Sequence, residues 1–432
     1  MTEDQAAGSA GGLGRRGFLT ALGVGAGAGV ALGAGVAAAV DGGSSPGTQD
    51  EGGTLPFWGT HQQGVTNAPQ EQTYFAVFDL TTTKRSDVAD LLRTWTEQAA
   101  ALTAGDPAVG TAQSPTAPPV DTGEAVDLGP SRLTLTFGFG ATLFSKDGAD
   151  RYGLAAHRPA ALVDLPVFHG DQLNPDTTGG DLTVQACASD PQVAFHAVRQ
   201  LARAATGVAQ IRWVQAGFNQ AARTKGTVRN LMGFKDGTAN PPTNSASQMN
   251  QYVWAGSEGP SWMVGGSYLV ARLIRISLEH WDTMPLQTQE AVIGRHKASG
   301  APLGGTREND PMDFTARNGD GTPTIPLDSH IRLSAAALNG GSQILRRSYS
   351  YNNGVSPFVE RWPPWKQALE YDAGLLFCAY QNDPRSGFVR IFNQLALSDA
   401  LNQFTTHTGS ILVAIPPAAS GPGHWIGEQL FA

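Results

Sequence analysis

The chain has 432 residues, too many for one small core, and at roughly 150 residues per domain it is expected to form two compact halves. Hydrophobic residues make up 41% and charged residues 15%, an ordinary globular balance, while 53 glycines and 27 prolines exclude a helical bundle or coiled coil. A net charge of -8 without any Lys/Arg run excludes a surface built to neutralise phosphates, so nucleic acid is not an expected partner.

Residues 14–20 read Gly-Arg-Arg-Gly-Phe-Leu-Thr, and an apolar Gly/Ala-rich stretch runs from Ala21 to Val40 with Ala37-Ala38-Ala39 near its end. This is the layout of a twin-arginine signal peptide over residues 1–40, apart from Gly14 where Ser or Thr is usual. The alternative, a membrane anchor, is disfavoured because so many glycines leave the stretch only marginally hydrophobic. The twin-arginine machinery carries folded proteins, which suits one that takes up a cofactor inside the cell. The expected destination is extracellular, cell-surface or periplasmic.

Residues 41–71 are rich in Gly, Ser, Pro and Gln and read as a linker and irregular lead-in. From Gln72 the fold begins. Thr73–Asp79 is a β-type run, and Ser86 is placed to cap a helix whose apolar face is Val88, Leu91, Leu92 and Trp95. Residues 105–130 form a Pro/Thr/Gly-rich loop. Leu133–Phe139 alternates like a strand and ends in glycines, where the chain must turn sharply or a planar ligand approaches.

A short internal repeat follows. Gly180–Cys187 leads through Asp190-Pro191 into a helical pattern of Val193, Ala197, Val198 and Leu201; Gly374–Cys378 leads through Asp383-Pro384 into Phe388, Ile391, Phe392 and Leu395. Each half also has an earlier strand-plus-helix candidate, Tyr74 to Trp95 and Ser267 to Ile293. The pattern predicts an α+β protein of two ferredoxin-like units, residues 72–225 and 226–432, each an antiparallel sheet covered by helices. Cys187 and Cys378 lie in apolar runs away from any other Cys or His, which excludes zinc and iron-sulfur ligation and leaves a disulfide between them open.

Most of the nine histidines, among them His196, His280, His296 and His407, sit in unremarkable contexts. His330 differs, because Ile325-Pro-Leu-Asp-Ser-His-Ile-Arg-Leu333 delivers a single imidazole from a proline-bounded turn. One imidazole cannot build a zinc site but suffices for a haem, whose porphyrin supplies the equatorial ligands. Asp236 sits in Gly233-Phe-Lys-Asp-Gly-Thr-Ala-Asn240, where an Asp-Gly pair is most often only a turn. Arg346 and Arg347 lie in the strand-like run Ile344–Tyr351, and strand alternation lets only one of them face a common pocket.

Together these segments resemble the dye-decolourising (DyP-type) peroxidases: Gly233–Asn240 matches the signature motif, Ser329–Leu333 the segment bearing the proximal histidine, and Leu345–Tyr351 that bearing the distal arginine. Further landmarks in family order, Leu135–Gly140, Gly179–Leu182, Val292–Arg295 and Ser410–Pro416, extend the resemblance from about Gln72 to the C-terminus. It implies two ferredoxin-like domains and one haem b, with His330 as the proximal iron ligand, Asp236 as the distal acid/base residue and Arg346, the first of the pair, as the distal cation. Gly237, Thr238 and Ala239 would line the haem. Exported members often continue the histidine segment with Asn-Pro-Arg, but this chain has Ser334-Ala-Ala-Ala337, so a propionate is expected to fall to another cation such as Arg332. Asp383 and Asp399 are the candidates for the acidic partner of His330.

The activity so implied is oxidation of bulky aromatic, phenolic or dye-like reductants by hydrogen peroxide through a ferryl species, with electrons reaching the haem from the surface through Trp or Tyr. An aspartate, with an ordinary pKa of about 3.9, works as a base at lower pH than a histidine, which predicts an acidic optimum. The first alternative is an exported haem-handling protein of an iron-uptake system that releases iron from haem. A non-catalytic haem carrier would not need Asp236 and Arg346, and a chlorite-dismutase-like enzyme would not need the Gly-Phe-Lys-Asp-Gly motif.

Overall fold

A computed structural model describes residues 53–109, 115–220, 226–356 and 370–432; the expected signal at 1–40 and the start of the lead-in fall outside them. Residues 53–71 carry no strand or helix, yet they are held tightly. Gln62 is buried and its amide joins Phe137 O (3.0 Å), Phe137 N–H (2.8 Å) and Pro416 O (2.9 Å), and Val65 is fully enclosed. This segment is packed structure, so its Gly, Pro and Gln content reflects irregular backbone and not a loose tether.

The first half runs β1 (Gln72–Leu80), α1 (Arg85–Ala104), β2 (Thr134–Gly140), β3 (Leu182–Ala188), α2 (Pro191–Ala204) and β4 (Ala209–Phe218). Its sheet order is β4-β1-β3-β2, all antiparallel. The predicted apolar face of α1 is the buried one, and Trp95 is fully enclosed with its indole N–H on Leu201 O of α2, 2.8 Å away. Helix α1 begins earlier than Ser86: Lys84 is the N-cap and makes no side-chain cap bond, while Thr82 donates to Asp87 Oδ2 and accepts from Lys84 N–H. Asp190 caps α2 by accepting from the N–H groups of Gln192 and Val193, with Pro191 at the first helical position, where its missing N–H costs nothing.

The second half repeats the plan with β5 (Ser267–Ile276), β6 (Leu345–Arg346), β7 (Tyr349–Ser356), β8 (Glu370–Gln381) and β9 (Thr405–Ile415). The interrupted pair β6/β7 takes one position in the order β9-β5-β8-β7, the same arrangement as in the first half. Both halves therefore have the ferredoxin-like topology that the repeat predicted. The second Asp-Pro turn behaves differently from the first, because α5 (Phe388–Ser398) starts from Gly387 while Asp383 closes a turn by accepting from Arg385 N–H.

Two seams join the sheets into a closed ring of strands. At one, β2 meets β9 through Phe139–Ala414 and Gly140–Val413; at the other, β4 meets β7 through Phe218–Ser350. The interior is filled by Phe75, Val77, Trp213, Leu376, Tyr380, Val413 and their neighbours, and both Cys187 and Cys378 are buried and free, so no disulfide joins them. The outer face of the first sheet is covered by α1 and α2. On the second sheet the connection from β5 to β6 is much longer, carrying α3 (Leu286–Ile293) and α4 (His330–Ser334), and a space remains between sheet and helices.

Of the two expectations for the glycines ending β2, the turn holds at Gly140, which leads into a short helix at Ala141–Phe144 and lies against backbone, while Gly138 lies against the side chains of Thr183, Val413 and Ile415. A Cβ on Gly140 would lie 2.0 Å from Gly180 O, and Gly140 N–H already donates to Asp181 O at 2.8 Å. Backbone on both sides leaves nothing to yield. Gly140→Ala is expected to lower stability by about 1–3 kcal/mol, read as a lower urea midpoint with an unchanged slope.

Candidate active site

The long β5–β6 connection delivers His330 at the first position of α4, after a turn closed by Ser329, whose hydroxyl donates to Pro326 O at 2.8 Å. His330 Nδ1 lies 2.6 Å from Asp399 Oδ2, at the end of α5. The other carboxylate oxygen of Asp399 accepts from Leu401 N–H at 2.9 Å, which fixes its orientation. Of the two candidates for this role, the structure selects Asp399; Asp383 is engaged with Arg385. Burial opposes protonation of His330, and the Asp399 carboxylate outweighs it and raises the pKa above the ordinary imidazole value. With Nδ1–H donated to Asp399, the Nε2 lone pair is the free one.

Asp236 comes from the segment before β5, where its N–H bonds Val228 O at 2.9 Å and Gly237 follows with φ +120, a left-handed conformation that favours glycine. Its Oδ1 receives Nη1 of Arg346 at 2.7 Å. Asn240, the last residue of the signature segment, holds Arg346 in place as a neighbouring strand would, with its amide on Arg346 O at 2.7 Å and Arg346 N–H on its Oδ1 at 3.2 Å. Arg347 points elsewhere, to Asn67 O and Gln70 Oε1, as strand alternation requires.

These groups share one cavity of about 370 Å³. Its walls are largely apolar, including Ile274, Ile276, Phe377, Phe388, Phe392 and Leu395, while His330, Asp236 and Arg346 all reach it. Gly237, Thr238 and Ala239 line it as expected. Arg332 does not: its Nη1 donates to Phe314 O and Ile325 O and its guanidinium lies over the Phe314 ring, so the expected propionate contact is not made by this residue. The cations that do line the cavity beside Arg346 are Lys235 and Arg295. Lys235 pairs with Glu308, which also accepts from Thr238 at 2.9 Å, and Arg295 donates to Gly300 O and Glu308 O.

The donor set fits a haem. One half-buried imidazole, its Nδ1 taken by Asp399, lines a largely apolar cleft, and among the described residues no group of three His, Cys, Asp or Glu side chains could hold a bare metal ion. Residues 62–219 match the N-terminal and residues 227–420 the C-terminal Dyp-type peroxidase domain. The chain belongs to the Dyp-type peroxidase family. A dye-decolorizing peroxidase of Thermobifida fusca is 39% identical over 81% of this chain and 76% of its own length. A deferrochelatase of Escherichia coli is 35% identical over 89% of this chain and 90% of its own length. Ferric DtpA of Streptomyces lividans superposes with a TM-score of 0.80 at 39% identity, covering 90% of this chain and all of that one. This Dyp-type peroxidase is thus a haem protein that uses hydrogen peroxide to oxidise a reductant.

Besides Lys235 and Arg295, sequence reasoning missed three residues at or beside this cavity. Asn240 stood in the motif without a role, and its position opposite a strand end was the available signal. Glu308 lies in a loop with no local signal. His407 was read as isolated, but it lies on β9 and lines the cavity, buried against the Phe392 ring.

Asp399→Ala is expected to weaken haem retention roughly 10–100-fold, measured by transfer of haem to excess apomyoglobin. Burial, reinforced by Arg272, holds the His407 pKa well below its ordinary value, so folded His407 stays neutral while the unfolded chain takes up a proton below about pH 6.5. Its contribution to stability is therefore present above that pH and lost as the pH falls. Wild type should lose up to about 1.4 kcal/mol per pH unit more than His407→Leu between pH 6.5 and 5, measured by urea unfolding.

Proposed function

We propose that the chain is an exported haem b peroxidase in which Asp236 moves the peroxide proton and Arg346 provides the cation beside it. The observation carrying this reading is that the Asp236–Arg346 pair opens into the same cavity as His330 Nε2, which a passive haem carrier would not need. Bound haem supplies the iron at which the O–O bond of peroxide is broken. Arg346 Nη1 holds Asp236 Oδ1, so Oδ2 is the oxygen that takes the proton from the inner peroxide oxygen and returns it to the outer one. The Arg346 guanidinium favours the peroxide anion and offsets negative charge on the departing oxygen. His330 would hold the haem iron, and Asp399 orients it and increases the donor strength of its Nε2. Lys235 and Arg295, the other Lys and Arg lining the cavity, would be the cations available to the propionates.

The apolar walls leave little room for a bulky reductant beside Asp236, which supports aromatic or dye-like substrates giving up electrons at the surface. Export by the twin-arginine machinery to a cell-surface, extracellular or periplasmic location rests on the Arg15-Arg16 segment and the Gly/Ala-rich stretch after it. The matching sheets on either side of residue 226 support 72–225 and 226–432 as the two domains. A second reading, release of iron from haem, is favoured by the deferrochelatase relatives that match nearly the whole chain.

Stopped-flow absorption of the haem-loaded protein mixed with hydrogen peroxide decides between them. Asp236→Asn is expected to slow the change in the Soret band about 10²–10⁴-fold, and Arg346→Leu also to slow it strongly. A Soret band indifferent to peroxide, with metal-free porphyrin accumulating alongside chelatable iron, would replace the peroxidase reading with iron release.

A further inference from the structure

A second cavity, of about 400 Å³, adjoins the first and shares Asn230, Asp236, Gly237, Arg346 and Leu375 with it. The charged residues lining it are Arg132, Arg229, Arg346 and Arg347 against the single carboxylate of Asp236. Arg346 is taken up by that carboxylate, and Arg229 donates to the carbonyls of Gly233, Lys297 and Ala298. Arg132 and Arg347 remain. They are 6% and 4% exposed, and neither has a carboxylate within ion-pair distance among the described residues.

Both arginines are anchored to the same stretch of the lead-in. Arg347 donates to Asn67 O and Gln70 Oε1, while its Nε is buried without a partner. Arg132 donates to Ala68 O at 3.4 Å, and its own carbonyl accepts from the Gln70 amide at 2.8 Å. Ser131 and Arg132 have φ values of 46 and 54, so the chain takes up an unfavourable left-handed conformation at consecutive non-glycine residues where Arg132 is placed. Neutral oxygens satisfy part of each guanidinium's hydrogen bonding but not its charge, and a buried charge without a counter-ion is costly. Arg132 and Arg347 both line the second cavity, and a guanidinium's fork of N–H donors is suited to an oxyanion.

We propose that this second cavity is a binding site for a small oxyanion, held by Arg132 and Arg347 next to the Asp236–Arg346 pair. The ligand is a carboxylate or sulfonate borne by an organic molecule, or a free inorganic oxyanion; the recognition chemistry is the same. The site does not depend on whether the haem cavity works as a peroxidase or releases iron, since neither arginine lines that cavity.

The test is calorimetric titration of the haem-loaded protein with sulfate and, separately, with benzoate, using benzamide as the neutral control and following the Soret band in parallel. Saturable binding of at least one anion is expected, with no binding of benzamide and no movement of the Soret band. Arg132→Gln and Arg347→Gln should each weaken it about tenfold or more. Preference for benzoate points to an organic carboxylate, and preference for sulfate to an inorganic ion. No saturable binding, binding unaltered in both Gln variants, or binding that moves the Soret band overturns the proposal. If the Gln variants do not fold, bromide-soaked crystals of the wild type give the answer: an anomalous peak against Arg132 and Arg347 upholds the site, and peaks only elsewhere overturn it.

Discussion

Adjacent residues on a strand face opposite sides of its sheet, and in the second half of this protein that alternation separates chemistry from packing. On β8, Leu375 and Phe377 face the haem cavity while Leu376, Cys378 and Tyr380 fill the interior of the strand ring. At β6 the same rule sends Arg346 to Asp236 and Arg347 to Asn67 and Gln70. A register slip of one residue would exchange the two faces, and the extended pairing of β8 with β5 and β7 opposes such a slip.

Given that sheet, the reactive groups come from excursions away from it, and each is tethered by a polar contact to an element distant in sequence. His330 on α4 is bound to Asp399 beyond α5, and Arg346 on β6 is bound to Asp236 and Asn240 from the segment before β5. The first half has the same topology with a single helix between its first two strands, and its helices lie flat on its sheet. The longer β5–β6 connection of the second half is what holds the covering elements off the sheet and leaves room for a cofactor.

Much of the fold was legible in local patterns. The two strand, Asp-Pro, helix segments are present, and the buried faces of α1, α2 and α5 are the apolar sets read from their spacing. Where the reading failed, a contact distant in sequence decided the outcome. Residues 53–71 read as a linker and irregular lead-in; they are irregular, without strand or helix, but are fixed through Gln62, whose partners are 75 and 354 residues away. The glycines of β2 allow a turn or a ligand approach, and Gly140 takes the turn, accommodating the carbonyl of Gly180. Arg332 follows His330 closely, but its helical turn directs it to Phe314 and Ile325 and away from the cavity.

The sequence by itself determined His330, Asp236 and the Arg346/Arg347 pair as the principal candidates, because the short segments carrying them match one family's motifs in order and are read without knowing their neighbours in space. Only the tertiary structure decided which groups work together: Asp399 over Asp383 behind His330, Lys235 and Arg295 over Arg332 at the cavity wall, and an uncompensated pair of arginines beside it. Those choices depend on where α5, the β5–β6 connection and the lead-in come to rest, and that is set by burial against the sheets, which brings together residues too far apart along the chain to be paired by any local rule.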